Sequence, residues 1–299
     1  ALTPKRMPKR LLVIGSGAIG IEFASFYNTL GAKTTVVEVM DRILPVEDEE
    51  ISAFAKKSFV KQGMDIREKA MVKQLDRGKD TVTAHIEQNG KVETLTFDTV
   101  ISAVGIVGNT EGLGLEALCV KIDRSHVVTD EYCRTSVEGL FAIGDLAGAP
   151  WLAHKASHEG TMVAELIVGG APHPVKPESI AGCTYCSPQI ASVGLTEAKA
   201  KAAGHEVRIG KFPFSASGKA SAAGAKDGFV KLIFDEQYGE LLGAHMIGAN
   251  VTELIAEIVA IRKLETTGHE LIKTVHPHPT MSEAIMEAAA AAYGEVIHL

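Results

Sequence analysis

A glycine spacing near the start of the chain constrains its fold more than any other feature. Gly15-Ser-Gly17-Ala-Ile-Gly20 follows Arg10-Leu-Leu-Val-Ile14, a short unbroken apolar run, and leads into a segment that reads as helix from Ala18 to Leu30. In that strand–turn–helix setting the pattern is the fingerprint of a dinucleotide-binding turn. Gly15 allows the tight turn, Gly17 lets the backbone approach a pyrophosphate, and Gly20 permits close packing of helix on strand. The helix start, with Ala18 and Ile19 in its first turn, offers unpaired N–H groups and a positive dipole end to the phosphates. Glu38 ends the next strand, 23 residues after Gly15, where a carboxylate accepts ribose hydroxyls and repels a 2′-phosphate. NAD is therefore expected rather than NADP. Val39 is expected to touch the adenosine half, and Gly105 to pass beside the nicotinamide. Val72 reads either as a second adenosine contact or as a core valine.

The remaining pattern gives an α/β chain in three parts. Residues 1–107 alternate strand and helix as a Rossmann-like NAD-binding domain. The first helix is expected to bury Ile19, Phe23, Phe26, Tyr27 and Leu30, and a second runs from Asp48 to Gln62. Strands follow around Met71–Leu75, Thr81–Glu87 and Lys91–Thr96, the last two joined by Asn89-Gly90, a hairpin signal. Asp98–Val104 reads as a further buried strand. Residues 108–178 are looser, with a strand at Gly139–Gly144, a helix at Lys155–Val168 and a linker at Pro172, Pro174 and Pro177. From 179 to 299 strands at 189–194, 205–212, 228–234 and 240–247 accompany helices at 196–203, 252–265 and 280–292, an α+β domain.

Composition narrows the function classes. Thirty Lys and Arg against 37 Asp and Glu give a net charge of −7, without the basic footprint that nucleic acid or an anionic membrane surface requires. No run of about 18 uncharged apolar residues provides a membrane span. The four cysteines, Cys119, Cys133, Cys183 and Cys186, do not make a secreted disulfide framework, so a cytoplasmic or equivalent reducing compartment is expected. Cys183-x-x-Cys186 has no second pair or clustered histidines at zinc-ligand spacing, so no metal site is expected.

Two further segments carry chemistry. Leu140-Phe-Ala-Ile-Gly144-Asp145 ends an apolar run in an acid, and Leu152-Ala-His154-Lys then opens a helix. An acid there can bind a polyol hydroxyl, and the helix N-terminus can face an electron-rich ring edge. Near the C-terminus, His276-Pro-His278-Pro-Thr280-Met-Ser282-Glu283 sets a histidine five residues before a glutamate. The loop can fold His278 back onto Glu283, making the oriented imidazole expected of a general acid/base. Thr280 is suited to start the following helix, and His276 reads as the lesser candidate, a loop residue.

These segments together resemble the flavoprotein disulfide reductases, the class I pyridine nucleotide-disulfide oxidoreductases. Thr-x-x-x-Gly-Leu-Phe-Ala-Ile-Gly-Asp followed by Leu-Ala-His-Lys is similar to their second FAD-contacting segment. The resemblance implies that Asp145 holds the ribityl chain of FAD and that Leu152, Ala153 and His154 contact the flavin. The His-x-His-Pro-Thr-x-Ser-Glu form and the ending Gly294-Glu-Val-Ile-His-Leu299 are most similar to the dihydrolipoyl dehydrogenase branch. So are Cys183-Thr-Tyr-Cys-Ser-Pro-Gln and Phe212-Pro-Phe-Ser-Ala-Ser-Gly. One departure is Ile106-Val-Gly-Asn-Thr110, where that branch often carries Arg-x-Pro-Asn-Thr.

By this resemblance His278 and Glu283 serve a redox disulfide across a homodimer interface, and the partners are lipoyl domains and the core of 2-oxoacid dehydrogenase complexes. The reaction is oxidation of protein-bound dihydrolipoamide by NAD, through FAD and that disulfide, in the cytoplasm or, in a eukaryote, the mitochondrial matrix. Only one glycine fingerprint occurs, and no Cys-x-x-x-x-Cys pair. The chain is therefore expected to be a C-terminal piece, inactive alone, that lacks an N-terminal FAD and disulfide region of about 150 residues. The alternatives are an NAD-binding and dimerisation module without redox activity, or a piece of a glutathione or mercuric reductase. Glu38 speaks against the NADP-linked glutathione enzyme, and the lack of a terminal cysteine pair against the mercuric one.

Overall fold

The computed structural model describes residues 1–298; Leu299, the last residue of the C-terminal segment quoted above, lies outside the described residues. The chain divides into two compact units, one formed by Ala1–Val104 together with the chain from Ala181 onward, the other by Gly105–Ile180.

In the first unit, β1 (Arg10–Ile14), α1 (Ala18–Thr29), β2 (Lys33–Val37), α2 (Glu49–Lys61) and β3 (Asp65–Arg67) alternate as the sequence suggests. The antiparallel hairpins β4 (Ala70–Arg77), β5 (Val82–Gln88) and β6 (Lys91–Phe97) follow, then β7 (Thr99–Ser102). The parallel sheet has the order β3-β2-β1-β7, with β1 central and Leu11, Leu12 and Val13 fully buried. Asn89 and Gly90 both have positive φ, as a tight turn between twisted strands demands.

Helix α1 buries Tyr27 and packs Phe23 on the core as expected, but the rest of its expected face is turned outward. It buries Gly20, Ile21, Ala24 and Tyr27, while Ile19, Phe26 and Leu30 are 42%, 49% and 56% exposed. The cause lies in Gly20, where a Cβ would collide with the Gly15 carbonyl. This contact turns Gly20 to the sheet, and the residues four and seven places on must follow it inward.

The second unit has little regular structure. It holds β8 (Ile122–Asp123), β9 (His126–Val127), a 3-10 turn at Gly144–Ala147, α3 (Ala153–Ile167) and a short turn at Pro177–Ser179. The expected strand at Gly139–Gly144 does not form. Among the described residues its one ladder contact is the bridge of Phe141 with Arg134, in which the Thr135 amide donates to the Leu140 carbonyl and the Ala142 amide to the Cys133 carbonyl, and a single bridge does not extend into a strand.

The chain then returns to the first unit with β10 (Gly182–Thr184), β11 (Gln189–Gly194), α4 (Glu197–Ala202), β12 (Val207–Pro213), α5 (Gly218–Ala223), β13 (Phe229–Asp235) and β14 (Leu241–Gly248). Helices α6 (Val251–Lys263), α7 (Gly268–Lys273) and α8 (Glu283–Tyr293) close it. The sheet order β10-β11-β14-β13-β12 places β13 and β14 inside, and every residue of both is buried. One face packs on α6 and α8 through Phe212, Leu232, Ile258 and Ile285. Residues of the other face, Phe229, Ile190 and Ile247, join the core of the nucleotide-binding sheet with Leu11, Ile21 and Phe59.

Candidate functional site

The glycine turn is built as its spacing requires. Gly15 has φ +95° and donates to the Val37 carbonyl at 2.9 Å, and a Cβ there would strike the Ala103 carbonyl. At Gly17, the N-cap of α1, a Cβ would meet nothing within 4 Å. No side chain caps this helix start and its first turn holds no acid. The first-turn N–H groups lack intrahelical acceptors, and Ala18 and Ile19 are exposed beside the open space over Gly17. An uncapped helix start above a clear backbone surface fits a pyrophosphate.

Glu38 is buried directly behind this turn. Its Oε2 accepts from the Ser16 amide at 2.9 Å and the Ser16 hydroxyl at 2.6 Å, and its Oε1 accepts from the Met40 amide at 2.9 Å. Three donors fix the carboxylate without using all of its lone pairs, so acceptor capacity remains for a hydroxyl. Ser16 is the residue that pattern reasoning passes over, because a G-x-G-x-x-G leaves the second position unspecified. Val39 is 58% exposed and lines a shallow depression of about 200 Å³ with Lys69, Ala70, Met71 and Asn89. Val72 does not line it; it packs against the cluster of Leu12, Val37 and Ala70. Gly105, with φ +138°, is the first residue of the second unit and is exposed.

Within the second unit, Asp145 is exposed on the 3-10 turn and Leu152 is the N-cap of α3, again without a side-chain cap. Ala153 and His154 form the exposed first turn. Beneath them lies a buried ion pair, Lys155 Nζ to Glu159 Oε1 at 3.1 Å. Glu159 Oε2 also accepts from the Gly144 amide at 2.7 Å, and Lys155 donates to the Gly144 and Gly148 carbonyls at 3.2 and 3.0 Å. The pair thus ties the turn carrying Asp145 to the start of α3. Its i, i+4 spacing was the available sequence signal.

The loop between α7 and α8 brings His278 and Glu283 together: Nδ1 lies 2.8 Å from Glu283 Oε1, and the ring is exposed. Glu283 Oε2 accepts from the Thr280 amide at 2.7 Å, and the Thr280 hydroxyl donates to the Pro277 carbonyl at 2.7 Å. Burial pushes the Glu283 carboxyl up, but the Thr280 amide and His278 outweigh it, so the group lies below its ordinary range. Helix α8 begins at Glu283 with Ser282 as N-cap, not at Thr280. The Thr280 hydroxyl serves the loop, bonding Pro277 and Ser282, instead of a helix N–H. A carboxylate on Nδ1 fixes the tautomer and leaves Nε2 as the proton-exchanging nitrogen.

Cys183 lies on β10 and Cys186 is buried, its thiol donating to the Pro188 carbonyl at 3.1 Å. Burial pushes Cys186 up to about 12 and raises Cys183 as well, opposite to the direction a reactive dithiol needs.

Comparison with known proteins identifies the family of the chain. The description of the pyridine nucleotide-disulphide oxidoreductases matches residues 1–160, and that of their dimerisation domain matches residues 180–289. The dihydrolipoyl dehydrogenase of Rhizobium etli is 56% identical over the whole of this chain, and that of Zymomonas mobilis is 52% identical. The chain spans 62% and 64% of the lengths of these relatives. The crystal structure of LpdA from Mycobacterium tuberculosis is 28% identical and superposes with a TM-score of 0.89 over 96% of this chain and 62% of its own. The flavoprotein disulfide reductase RclA of Escherichia coli, at 24% identity and a TM-score of 0.90 over 97% of this chain and 65% of its own, shares the fold. Its two matched regions cover nearly the whole sequence, and the chain belongs to the pyridine nucleotide-disulphide oxidoreductase family.

Proposed function

We propose that this chain supplies the NAD-binding, central and dimerisation regions (1–107, 108–178 and 179–299) of a dihydrolipoyl dehydrogenase that works as a homodimer in the cytoplasm, or in the matrix of a mitochondrion. Its partners are the lipoyl domains and cores of 2-oxoacid dehydrogenase complexes. The observation that carries the reading is the His278–Glu283 pair at 2.8 Å, on a fold that also holds the open turn over Gly17.

Gly15, Gly17, Ala18 and Ile19 cradle the NAD pyrophosphate with Gly20 packing α1 beneath them, Glu38 takes the ribose hydroxyls, Val39 flanks the adenosine while Val72 serves as the core valine, and Gly105 lies beside the nicotinamide. Asp145, Leu152, Ala153 and His154 hold part of FAD. In the longer protein FAD and a redox disulfide supply the two-electron path from dihydrolipoamide to NAD, giving lipoamide, NADH and a proton. His278 Nε2 takes the proton from a dihydrolipoyl thiol, and Glu283 stabilises the imidazolium that results. The thiolate so formed is the nucleophilic state in thiol–disulfide exchange. Without the disulfide the chain alone turns over no lipoamide.

Thermal denaturation tests the nucleotide half of this reading. NAD at a hundredfold excess over its Kd adds about 2.7 kcal/mol of stability and raises Tm, NADP does not, and Glu38→Gln removes the difference. Equal shifts for NAD and NADP in the unaltered chain contradict the role of Glu38. When the chain is joined to the FAD- and disulfide-bearing segment that the proposal requires, His278→Ala lowers lipoamide turnover roughly 10²–10⁴-fold. NADH oxidation by artificial acceptors is spared; equal loss of both activities removes His278 from the mechanism.

A further inference from the structure

The same loop carries a second histidine that the proposed mechanism does not use. His276 turns inward between two exposed neighbours, Val275 and Pro277, and only 5% of its side chain is exposed. Its Nε2 lies 2.8 Å from Glu257 Oε1 on α6, and its Nδ1 lies 3.1 Å from the Thr274 carbonyl oxygen. A carbonyl and a carboxylate only accept, whereas a neutral imidazole has a single N–H to give. Both bonds together require the imidazolium. Glu257 from α6 and Glu283 from α8 are the charged groups that favour it, and with them the ring lies above its ordinary pKa despite burial.

The clamp fastens the loop to α6 nineteen residues earlier, while Glu283 fastens it to α8. His278 sits between the two fastenings. We infer that His276, held as an imidazolium between Glu257 and the Thr274 carbonyl, is the positioning residue that keeps His278 Nδ1 on Glu283. The inference rests on the reading of His278–Glu283 as the proton-transfer pair. It also fixes a direction for pH. A histidine raised in the folded state contributes fully below the ordinary value of 6.5, and its contribution is lost as pH rises through the higher folded value. The loop therefore loosens on the alkaline side.

Histidine-labelled nitrogen NMR of the 299-residue chain tests this without any catalytic assay. At pH 6.5, the ordinary value, both ring nitrogens of His276 carry protons, and the Nδ1 proton of His278 gives a resolved signal bonded to Glu283. In His276→Gln that His278 signal broadens beyond detection and the Thr280 amide exchanges with solvent at least tenfold faster. Glu257→Gln, a milder change, does the same and leaves His276 with one proton at pH 6.5. A single proton on His276 in the unaltered chain overturns the inference, as does an unchanged His278 signal in either variant that folds. If the clamp behaves as stated but His278 proves dispensable for lipoamide turnover, the functional reading falls and the clamp stands.

Discussion

Lys231 interrupts the apolar run of β13, and only 2% of its side chain is exposed. Its ammonium donates to both oxygens of Asp48 at 3.1 Å, to Glu197 at 2.8 Å and to Glu50 at 3.3 Å. Lys201 also pairs with Glu197 and Lys211 with Glu50, so three lysines balance three acids. Burial pushes the Lys231 ammonium down, but Glu197 and Asp48 more than reverse this. Replacing Lys231 with Met leaves the buried Asp48 carboxylate without its cation and costs about 3–5 kcal/mol, read from urea denaturation at pH 7. The same cluster sets an acid limit. Hydrogen bonds from Lys201 and then Lys231 hold Glu197 down at about 2, against an ordinary 4.5. A depressed carboxyl gives stability that is full above the ordinary value and is lost as pH falls toward the folded one. Stability should therefore decline between about pH 4.5 and 2, and in Lys231→Met the Glu197 share of that decline shifts to higher pH. An acid limb identical in both proteins contradicts the assignment.

Elements were legible where their signals are local. The βα turn, the α2 boundaries and the Asn89-Gly90 hairpin follow from neighbouring residues, and His278 meets Glu283 because five residues of loop leave few other ways to close. The phase of α1 was only partly legible from hydrophobicity: Tyr27 is buried as expected, but Phe26 and Leu30 are as apolar as Ile21 and lie outside. A steric contact decided it, between Gly20 and the Gly15 carbonyl. Gly139–Gly144 reads as a strand by composition, yet a strand is a property of pairs, and only Arg134 pairs with it among the described residues. The Lys231–Asp48 contact joins positions 183 apart, and no local pattern encodes it. Two glycine variants separate packing from binding at α1. In Gly20→Ala the new Cβ meets backbone, pushes α1 off β1, and costs about 1–3 kcal/mol. In Gly17→Ala, where φ is −66° and the space is open, stability stays within about 0.5 kcal/mol, but the NAD-induced rise in Tm disappears. Melting curves with and without NAD check both; a normal NAD response in Gly17→Ala moves the pyrophosphate elsewhere.

At the scale of the whole molecule, the first unit is discontinuous in sequence. Its two stretches share one core, where Leu11, Ile21 and Phe59 meet Ile190, Phe229 and Ile247. Phe54 packs edge-on against Phe229 at 5.6 Å. Polar ties cross the same boundary: the Tyr185 amide to Glu22 at 2.8 Å, and Gln62 to the Ser187 carbonyl at 2.8 Å. The stretch between them exposes Ile167 and Val168 ahead of a proline-rich linker. Limited proteolysis there should nick the backbone while both fragments still co-elute at the size of the uncut chain on gel filtration. Separation into two species contradicts the shared core. Asp48 and Lys231 also leave the ribosome far apart in time. At roughly 5–20 residues per second, the 183 residues between them take about 10–40 s to make. For that interval the newborn nucleotide-binding half carries Asp48 and Phe54 without the lysine and the phenylalanine that cover them in the finished fold.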